Sequence, residues 1–478
     1  MEYLFGSSDI LKIAFNAIYF IIILGTIFIV VLDNRSPVKT MAWILVLFFI
    51  PLIGLFLYFF VGRSTRKQRL ISKKGFTRLI KRPMAEYQAQ KAFHGNGDDN
   101  KIMRFFKNIN KALPFEGNTI DVYTDGTSML QSLLKEISRA KHHIHLEFYI
   151  IDNDAVGRLV RDFLIDKAKE GVEIRVLYDD VGCWRVNKSF FDRMRGKGIE
   201  AKAFLKVRFP LFTSKINYRN HRKIVVIDGK VGFIGGMNLA NRYLKGFKWG
   251  IWRDTHIKIE GKAVYGLQTA FLTDWYVVDR TLFTSARYFP EIRTMGSSLI
   301  QIVTSDPVGE WHDIMQGMLI AIENAKKYIY IQTPYLLPTE PILISLQNAA
   351  LAGVDVRVMI PARADATITH LASLSYLSNL MDAGIKIYLY KKGFLHSKLM
   401  VCDDNFSSVG STNMDFRSFE HNFEANAIMY DKPSAVKLKD IFVNDQKHCT
   451  LLRKRLWERR SLKERIIEST VRILSPLL

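Results

Sequence analysis

Asn220-His221-Arg222-Lys223-Ile224-Val225-Val226-Ile227-Asp228 and Leu395-His396-Ser397-Lys398-Leu399-Met400-Val401-Cys402-Asp403 set the same His-x-Lys-x4-Asp pattern at two points of one 478-residue chain. The apolar residues between Lys and Asp read as a buried strand. On a strand, residues i and i+2 share a face, so each imidazole and its ammonium converge on one point. That point suits a phosphoryl oxygen. A second strand follows each copy and ends in a small-residue turn with an asparagine, Gly235-Gly236-Met237-Asn238 and Gly410-Ser411-Thr412-Asn413. His and Asn are seventeen residues apart both times. One His-x-Lys pair is common on exposed strands, but two copies with a matched downstream interval point to function.

Outward from the motifs the chain repeats itself loosely. Ala140-Lys141 leads into His145-Leu146-Glu147-Phe148-Tyr149, and Ala325-Lys326-Lys327 leads into Tyr328-Ile329-Tyr330-Ile331-Gln332. Gly171-Val172-Glu173-Ile174-Arg175-Val176 is matched by Gly353-Val354-Asp355-Val356-Arg357-Val358. Amphipathic helices are expected over Met129 to Ala140, Trp311 to Ala325 and Ile342 to Ala352. Strands alternating with helices predict an α/β fold with mostly parallel sheets. The economical division is two equivalent lobes, 116–290 and 295–445, related by a pseudo-twofold. A basic juxtamembrane segment and linker (63–115, with the polar breaker Gly95 to Asn100) precedes them, and a basic amphipathic tail (446–478) follows.

The first 62 residues predict a transmembrane helical hairpin. Ile13 to Leu32 and Met41 to Val61 carry no charge, and each matches the ~20 residues a helix needs to cross a bilayer. The connector, Asp33 to Thr40, is short and contains Pro37. A cleaved signal peptide fits poorly, because no basic region precedes the first run and a second run follows at once. From Arg63 to Arg82 there are nine Lys or Arg and no acidic residue. The positive-inside tendency therefore puts the lobes in the cytoplasm, with a multi-pass anchor in the cell membrane and a cytoplasmic N-terminus. The formal net charge of +22 calls for anionic partners. Three scattered cysteines, Cys183, Cys402 and Cys449, fit a reducing compartment and no zinc spacing.

The chemistry follows from residue types. A phosphodiester repels anionic attack, so positive groups must neutralise it in the transition state. Lys223 and Lys398 would do so on the non-bridging oxygens, with Asn238 and Asn413 as phosphate-binding donors. Two histidines permit a two-step route, in which one attacks phosphorus and the other protonates the leaving alkoxide. No metal or cofactor is required. Each histidine needs an orienting carboxylate to fix its tautomer. Asp254 and Glu424 are the supporting candidates, 33 and 28 residues past their motif histidines, with the pairing left open. Asp228 and Asp403 complete the catalytic motif set as framework residues that hold the loops. Tyr149 and Tyr335 close equivalent strands, as core or as substrate contacts. His142, His143 and His145 read as structural. The tail from Leu462 to Leu474 reads equally as a packing helix or a membrane-surface helix.

These motifs resemble the phospholipase D superfamily over about 118–445. Trp252-Arg253-Asp254-Thr255-His256, Thr333-Pro334-Tyr335-Leu336-Leu337-Pro338 and Asn413-Met414-Asp415-Phe416-Arg417-Ser418-Phe419 leading to Asn422-Phe423-Glu424 resemble the bacterial cardiolipin synthases in particular, as does the N-terminal double span. The resemblance implies transfer of a phosphatidyl group between two phosphatidylglycerols through a phosphohistidine, with His221 the nucleophile and His396 the acid/base. Partners would be phosphatidylglycerol and other anionic lipids, with no nucleic acid; the sequence leaves the oligomeric state open. The rivals are a hydrolytic phospholipase D, a transferase using another alcohol, a nuclease, which the two spans disfavour, and a polybasic membrane or nucleic-acid binding protein with relic motifs. Intact His, Lys and Asp in both copies weigh against the last.

Overall fold

A computed structural model describes residues 7–32, 37–58, 72–94, 100–206 and 218–477. The chain forms two compact units: residues 1–66 with 207–217, and residues 67–206 with 218–478. The expected connector residues 33–36, the basic residues 63–71 and the polar breaker 95–99 lie outside the described residues.

The first unit contains helices Ser7–Leu32, Pro37–Phe49 and Pro51–Leu57. Among the described residues one helix, Lys12–Leu32, is long and apolar enough to cross a membrane. The expected second span is not one continuous helix. Pro51 offers no N–H, and Ile50 leaves helical geometry at φ −134° and ψ 63°. Pro51–Leu57 folds back on Pro37–Phe49, so that the Trp43 and Tyr58 rings meet at 5.4 Å. A straight helix would hold those residues about 22 Å apart. Gly54 allows the close approach, since a Cβ there would lie 2.7 Å from the Val46 carbonyl oxygen.

The second unit is built on one long mixed sheet. At its centre Pro114–Tyr123 pairs antiparallel with Ser298–Ser305. From Pro114–Tyr123 the order outward is His256–Glu260, Val231–Gly235, Ile224–Ile227, His143–Phe148, Glu173–Asp179 and Glu200–Phe204. From Ser298–Ser305 it is Asn422–Met429, Phe406–Gly410, Leu399–Cys402, Tyr328–Gln332, Asp355–Pro361 and Lys386–Tyr390. The two series are equivalent strand for strand, as a two-fold relation between lobes requires.

The expectation of mostly parallel sheets needs correcting. Only the outer three strands of each series run parallel; the inner ones are antiparallel. Each motif strand returns at once through a tight turn at Asp228-Gly229 or Asp403-Asp404, far too short for a parallel crossover. The expected helices form as Gly126–Arg139, Asp313–Asn324 and Glu340–Leu351. Asp125 caps the first by accepting from the Ser128 N–H at 2.9 Å.

Two boundaries also move. The stretch read as linker is largely helical, Lys73–His94 and Lys101–Ile109. Leu79, Tyr87, Ile102, Met103 and Phe106 are buried, so these helices belong to the catalytic unit. Their 3.6-residue apolar spacing was masked by the abundance of Lys and Arg. The tail beginning at 446 is likewise no appendage, because Cys449–Leu451 adds an edge strand beside Lys386–Tyr390. Its helix, Leu462–Arg472, packs through Val471 near Tyr376 and Ala372. Leu462, Ile466 and Ile473 stay exposed along it.

Candidate active site

The two motif histidines meet at one cavity of about 570 Å³. The local sequence places them there by strand exchange. Arg219–Asn220 pairs with Asn422–Phe423 of the other lobe, and Gly393–Leu395 pairs with Ile251–Arg253. Each histidine follows directly, its backbone tied across the lobes. The His221 N–H donates to the Phe423 carbonyl at 2.9 Å, and the His396 N–H to the Arg253 carbonyl at 2.7 Å.

The carboxylates cross as well. His221 Nδ1 lies 3.0 and 3.1 Å from the two Glu424 oxygens. His396 Nδ1 lies 2.6 Å from Asp254 Oδ2. Lys398 Nζ is 2.9 Å from the same nitrogen, but an ammonium offers no lone pair, so the Nδ1 proton goes to Asp254. Both imidazoles are thereby fixed with Nδ1 protonated and Nε2 free, the tautomer a nucleophile or general base needs. Further groups hold the carboxylates. Ser411 donates to Glu424, as does Asn422 Nδ2 at 3.1 Å. The Thr255 N–H donates to Asp254 at 2.7 Å. A Cβ on Gly236 would lie 2.1 Å from Asp254 Oδ1, so this glycine of the turn leading to Asn238 makes room for the carboxylate.

Both lysines reach the same centre. Lys223 donates to the His221 carbonyl at 2.5 Å, and Lys398 to that of His396. Burial pushes Lys223 down to about 7 against the pull of Glu424, and Lys398 down to about 8 against that of Asp254. Burial likewise holds His221 at about 4, with Glu424 opposing, and His396 at about 3, with Lys398 adding to the depression. Burial disfavours ionised Asp254, yet Lys398 and His396 hold it below the ordinary carboxylate range. His221 and Lys223 do the same for Glu424. The centre thus sets two neutral imidazoles among two lysines and two ionised carboxylates.

A pH dependence follows. In the free enzyme the ammonium forms are lost as pH rises through about 7 and about 8, and an anionic substrate binds those forms. kcat/KM on a soluble short-chain phosphodiester should therefore fall on the alkaline side with those midpoints, since it reports free-enzyme ionisations. The fall in kcat should lie at higher pH, because bound phosphate favours the charged lysines. A kcat/KM that stays level to about pH 9.5, below the ordinary lysine value, contradicts this assignment.

The remaining sequence candidates sort plainly. Asn238 and Asn413 line the cavity. Asn238 accepts from the Ile150 N–H at 3.0 Å and donates to Tyr243 Oη at 2.5 Å. Asn413 donates to Asp415 at 2.9 Å. Each amide nitrogen has a second N–H that these contacts do not use. Asp228 and Asp403 do not line the cavity; they hold the far ends of the motif strands. Asp228 accepts from the N–H groups of Lys141, His142 and His143 at 2.7–3.0 Å. Asp403 accepts from those of Lys326, Lys327 and Tyr328 at 2.6–2.9 Å. Both sit at positive φ, 53° and 52°, where an aspartate is tolerated better than most residues. Tyr149 and Tyr335 line the cavity, Tyr149 with its ring 5.1 Å from His221. His143 and His145 are buried on Gln268.

Sequence reading missed the braces between lobes. Arg253 forks onto Asp445 at 3.0 and 2.6 Å, Arg222 donates to the Glu424 and Ser305 carbonyls at 3.0 and 3.1 Å, and Thr255 meets Ser397 at 2.7 Å. Arg222 and Ser397 lie inside the two His-x-Lys motifs and Thr255 just before His256, but their partners are distant in sequence and carry no local signal.

A protein-family description, "Cardiolipin synthase, PLD-like domain", matches residues 133–275 and 318–446. The "Phospholipase_D-nuclease N-terminal" description matches residues 18–63. The chain is 41% identical to the cardiolipin synthase of Geobacillus sp. (strain WCH70), covering 94% of this chain and 91% of that one. The chain belongs to the bacterial cardiolipin synthase family of the phospholipase D superfamily. It is accordingly a phosphatidyltransferase. The major cardiolipin synthase of Bacillus subtilis (strain 168) is also 41% identical, over 97% of this chain and 98% of its own. That of Staphylococcus aureus (strain Mu50) is 39% identical, over 99% and 98%. The crystal structure of phosphatidylserine synthase from Haemophilus influenzae Rd KW20 shares the fold. It superposes with a TM-score of 0.59 at 14% identity, covering 79% of this chain and 98% of that one.

Proposed function

We propose that the enzyme makes cardiolipin and glycerol from two phosphatidylglycerols by double displacement at phosphorus. The supporting observation is the pair of crossed His–carboxylate contacts at one cavity lined by both histidines. His221 Nε2 attacks the donor phosphorus while His396, which takes up a proton as the negative charge of the bound phosphodiester raises its pKa, protonates the departing glycerol oxygen. The phosphatidyl group is then carried on His221, and glycerol leaves. His396, now neutral, takes the proton from the terminal glycerol hydroxyl of a second phosphatidylglycerol. That oxygen attacks phosphorus, the P–N bond breaks, and cardiolipin is released with both histidines restored. Lys223, Lys398, Asn238 and Asn413 hold the non-bridging oxygens throughout. Asp228 and Asp403 keep the strand ends in place without touching substrate.

Incubating the purified full chain with labelled phosphatidylglycerol in vesicles tests the reading by mass spectrometry of the lipids. Cardiolipin and glycerol should appear in equal amounts. Phosphatidic acid as the sole lipid product would identify a hydrolase instead.

The enzyme associates with membranes, and we place its lobes on the cytoplasmic side. The support is the nine basic residues from Arg63 to Arg82, set against Arg35 and Lys39 in the connector. In a cysteine-free background, a cysteine at position 36 should react with an impermeant thiol reagent in intact cells, and one at position 97 should not. Labelling at 97 overturns the orientation. Protection at both positions would mean that the second apolar run, folded back at Ile50, leaves the membrane on the side it entered.

A further inference from the structure

Arg242 stands four residues after Asn238, and Arg417 four residues after Asn413. They are equivalents in the two lobes, and both line the catalytic cavity half-buried. Among the described residues neither guanidinium has a carboxylate partner. This sets them apart from Arg222 and Arg253, which brace the same site through Asp274 and Asp445. The cavity's own lining carboxylates are engaged elsewhere. Asp365 accepts from the Tyr335 hydroxyl at 2.8 Å, and Asp415 from the Asn413 amide at 2.9 Å and the Ser418 N–H at 2.6 Å.

Arg242 is the more informative of the two. Its Nε is buried without a hydrogen-bond partner, and its guanidinium lies 5.8 Å from the ring centroids of both Tyr243 and Trp252. Those rings pack on His396 at 6.1 and 5.1 Å. Arg242 is therefore linked to His396 through the Tyr243 and Trp252 rings, and both residues line the same cavity. Arg417 lines the cavity together with Tyr149, whose ring lies 5.1 Å from that of His221. A cation partly withdrawn from water with no counter-charge is costly unless an anion arrives to meet it.

The proposed reaction brings two phosphates into the cavity. The reacting one is already met by two lysines and two asparagines. The other is the acceptor's own phosphodiester, one glycerol bridge from the hydroxyl that must reach His396. We propose that Arg242 grips the phosphodiester of the acceptor phosphatidylglycerol, setting its terminal hydroxyl at His396 and so favouring lipid over water as acceptor. A guanidinium suits this task because it can hold two phosphate oxygens at once, where an ammonium is a point charge. This role rests on the cardiolipin-forming reaction above and names the residue that makes it a transfer rather than a hydrolysis.

The test compares wild type, Arg242→Gln, Arg242→Lys and Arg417→Gln on vesicles with increasing mole fractions of labelled phosphatidylglycerol, reading cardiolipin and phosphatidic acid together. Arg242→Gln should shift the product ratio toward phosphatidic acid by roughly tenfold to a hundredfold, the loss of a charge-assisted contact. The mole fraction giving half-maximal cardiolipin synthesis should rise with it. Arg242→Lys should fall between. The ratio does not depend on how much of the variant is folded, so a destabilised protein still answers the question. A proportional fall of both products in Arg242→Gln overturns the proposal, as does a ratio shift in Arg417→Gln alone. Failure of the underlying reaction would show separately, as an absence of cardiolipin from the wild-type enzyme.

Discussion

His396→Ala should release about one equivalent of nitrophenol from a p-nitrophenyl phosphodiester and then stall, while His221→Ala should release none. Both variants should lose cardiolipin synthesis by at least ~10³-fold, so loss of turnover alone cannot separate their roles. A phenolate leaves without being protonated, which removes the need for the acid in the first step only. His221 in the first variant keeps its Glu424 contact at 3.0 Å and its neighbour Lys223, so the covalent intermediate can form. It then persists, because no base is left to activate an acceptor. Rapid-quench detection of the burst, with mass spectrometry of the trapped phosphoprotein, checks the expectation. A burst in His221→Ala and none in His396→Ala reverses the roles. No burst in either removes the support for a covalent route and leaves direct attack by the acceptor alcohol.

The same assay separates the orienting carboxylates. Glu424→Gln should slow the burst by about 10²-fold or more, whereas Asp254→Asn should leave the burst and slow only the turnover that follows. The reason is the crossed pairing: Glu424 of the second lobe serves His221, and Asp254 of the first serves His396. An amide of similar shape can present its N–H to the ring, stabilise the wrong tautomer, and give no charge to balance the imidazolium. Glu424→Gln also removes the charge that holds the Lys223 ammonium in its buried position, so that variant should lose phosphate affinity near neutral pH as well. A slow burst in Asp254→Asn with a normal one in Glu424→Gln would show that each carboxylate acts within its own lobe.

The motifs themselves were legible because their signals are local. His221 with Lys223 and His396 with Lys398 stand out by their repeated spacing, although the structure puts both triplets in the link between two strands rather than on one. The asparagines follow at a repeated interval, and the apolar run Ile13 to Leu32 is unmistakable by length. Asp254 and Glu424 are marked by position and residue type. The second apolar run shows where such signals stop. Its composition predicts a span, but a single proline at 51 and a small residue at 54 let it fold back on itself. The helices of 73–109 were hidden in turn, because basic residues swamp an apolar period that burial makes plain.

What the sequence by itself determined is the chemistry: two imidazoles, two ammonium groups and two carboxylates in duplicate order, each His-x-Lys directly ahead of an apolar strand. What only the tertiary structure decided is who serves whom. Each histidine follows a short strand paired to the opposite lobe, so its nearest carboxylate comes from the other half of the chain. The unpaired arginines and the Arg253–Asp445 brace belong to the same class of fact. Side-chain period reports which face a residue takes on its own strand; contacts across roughly 200 residues depend on how two lobes turn about their central antiparallel pair, and no local pattern carries that angle.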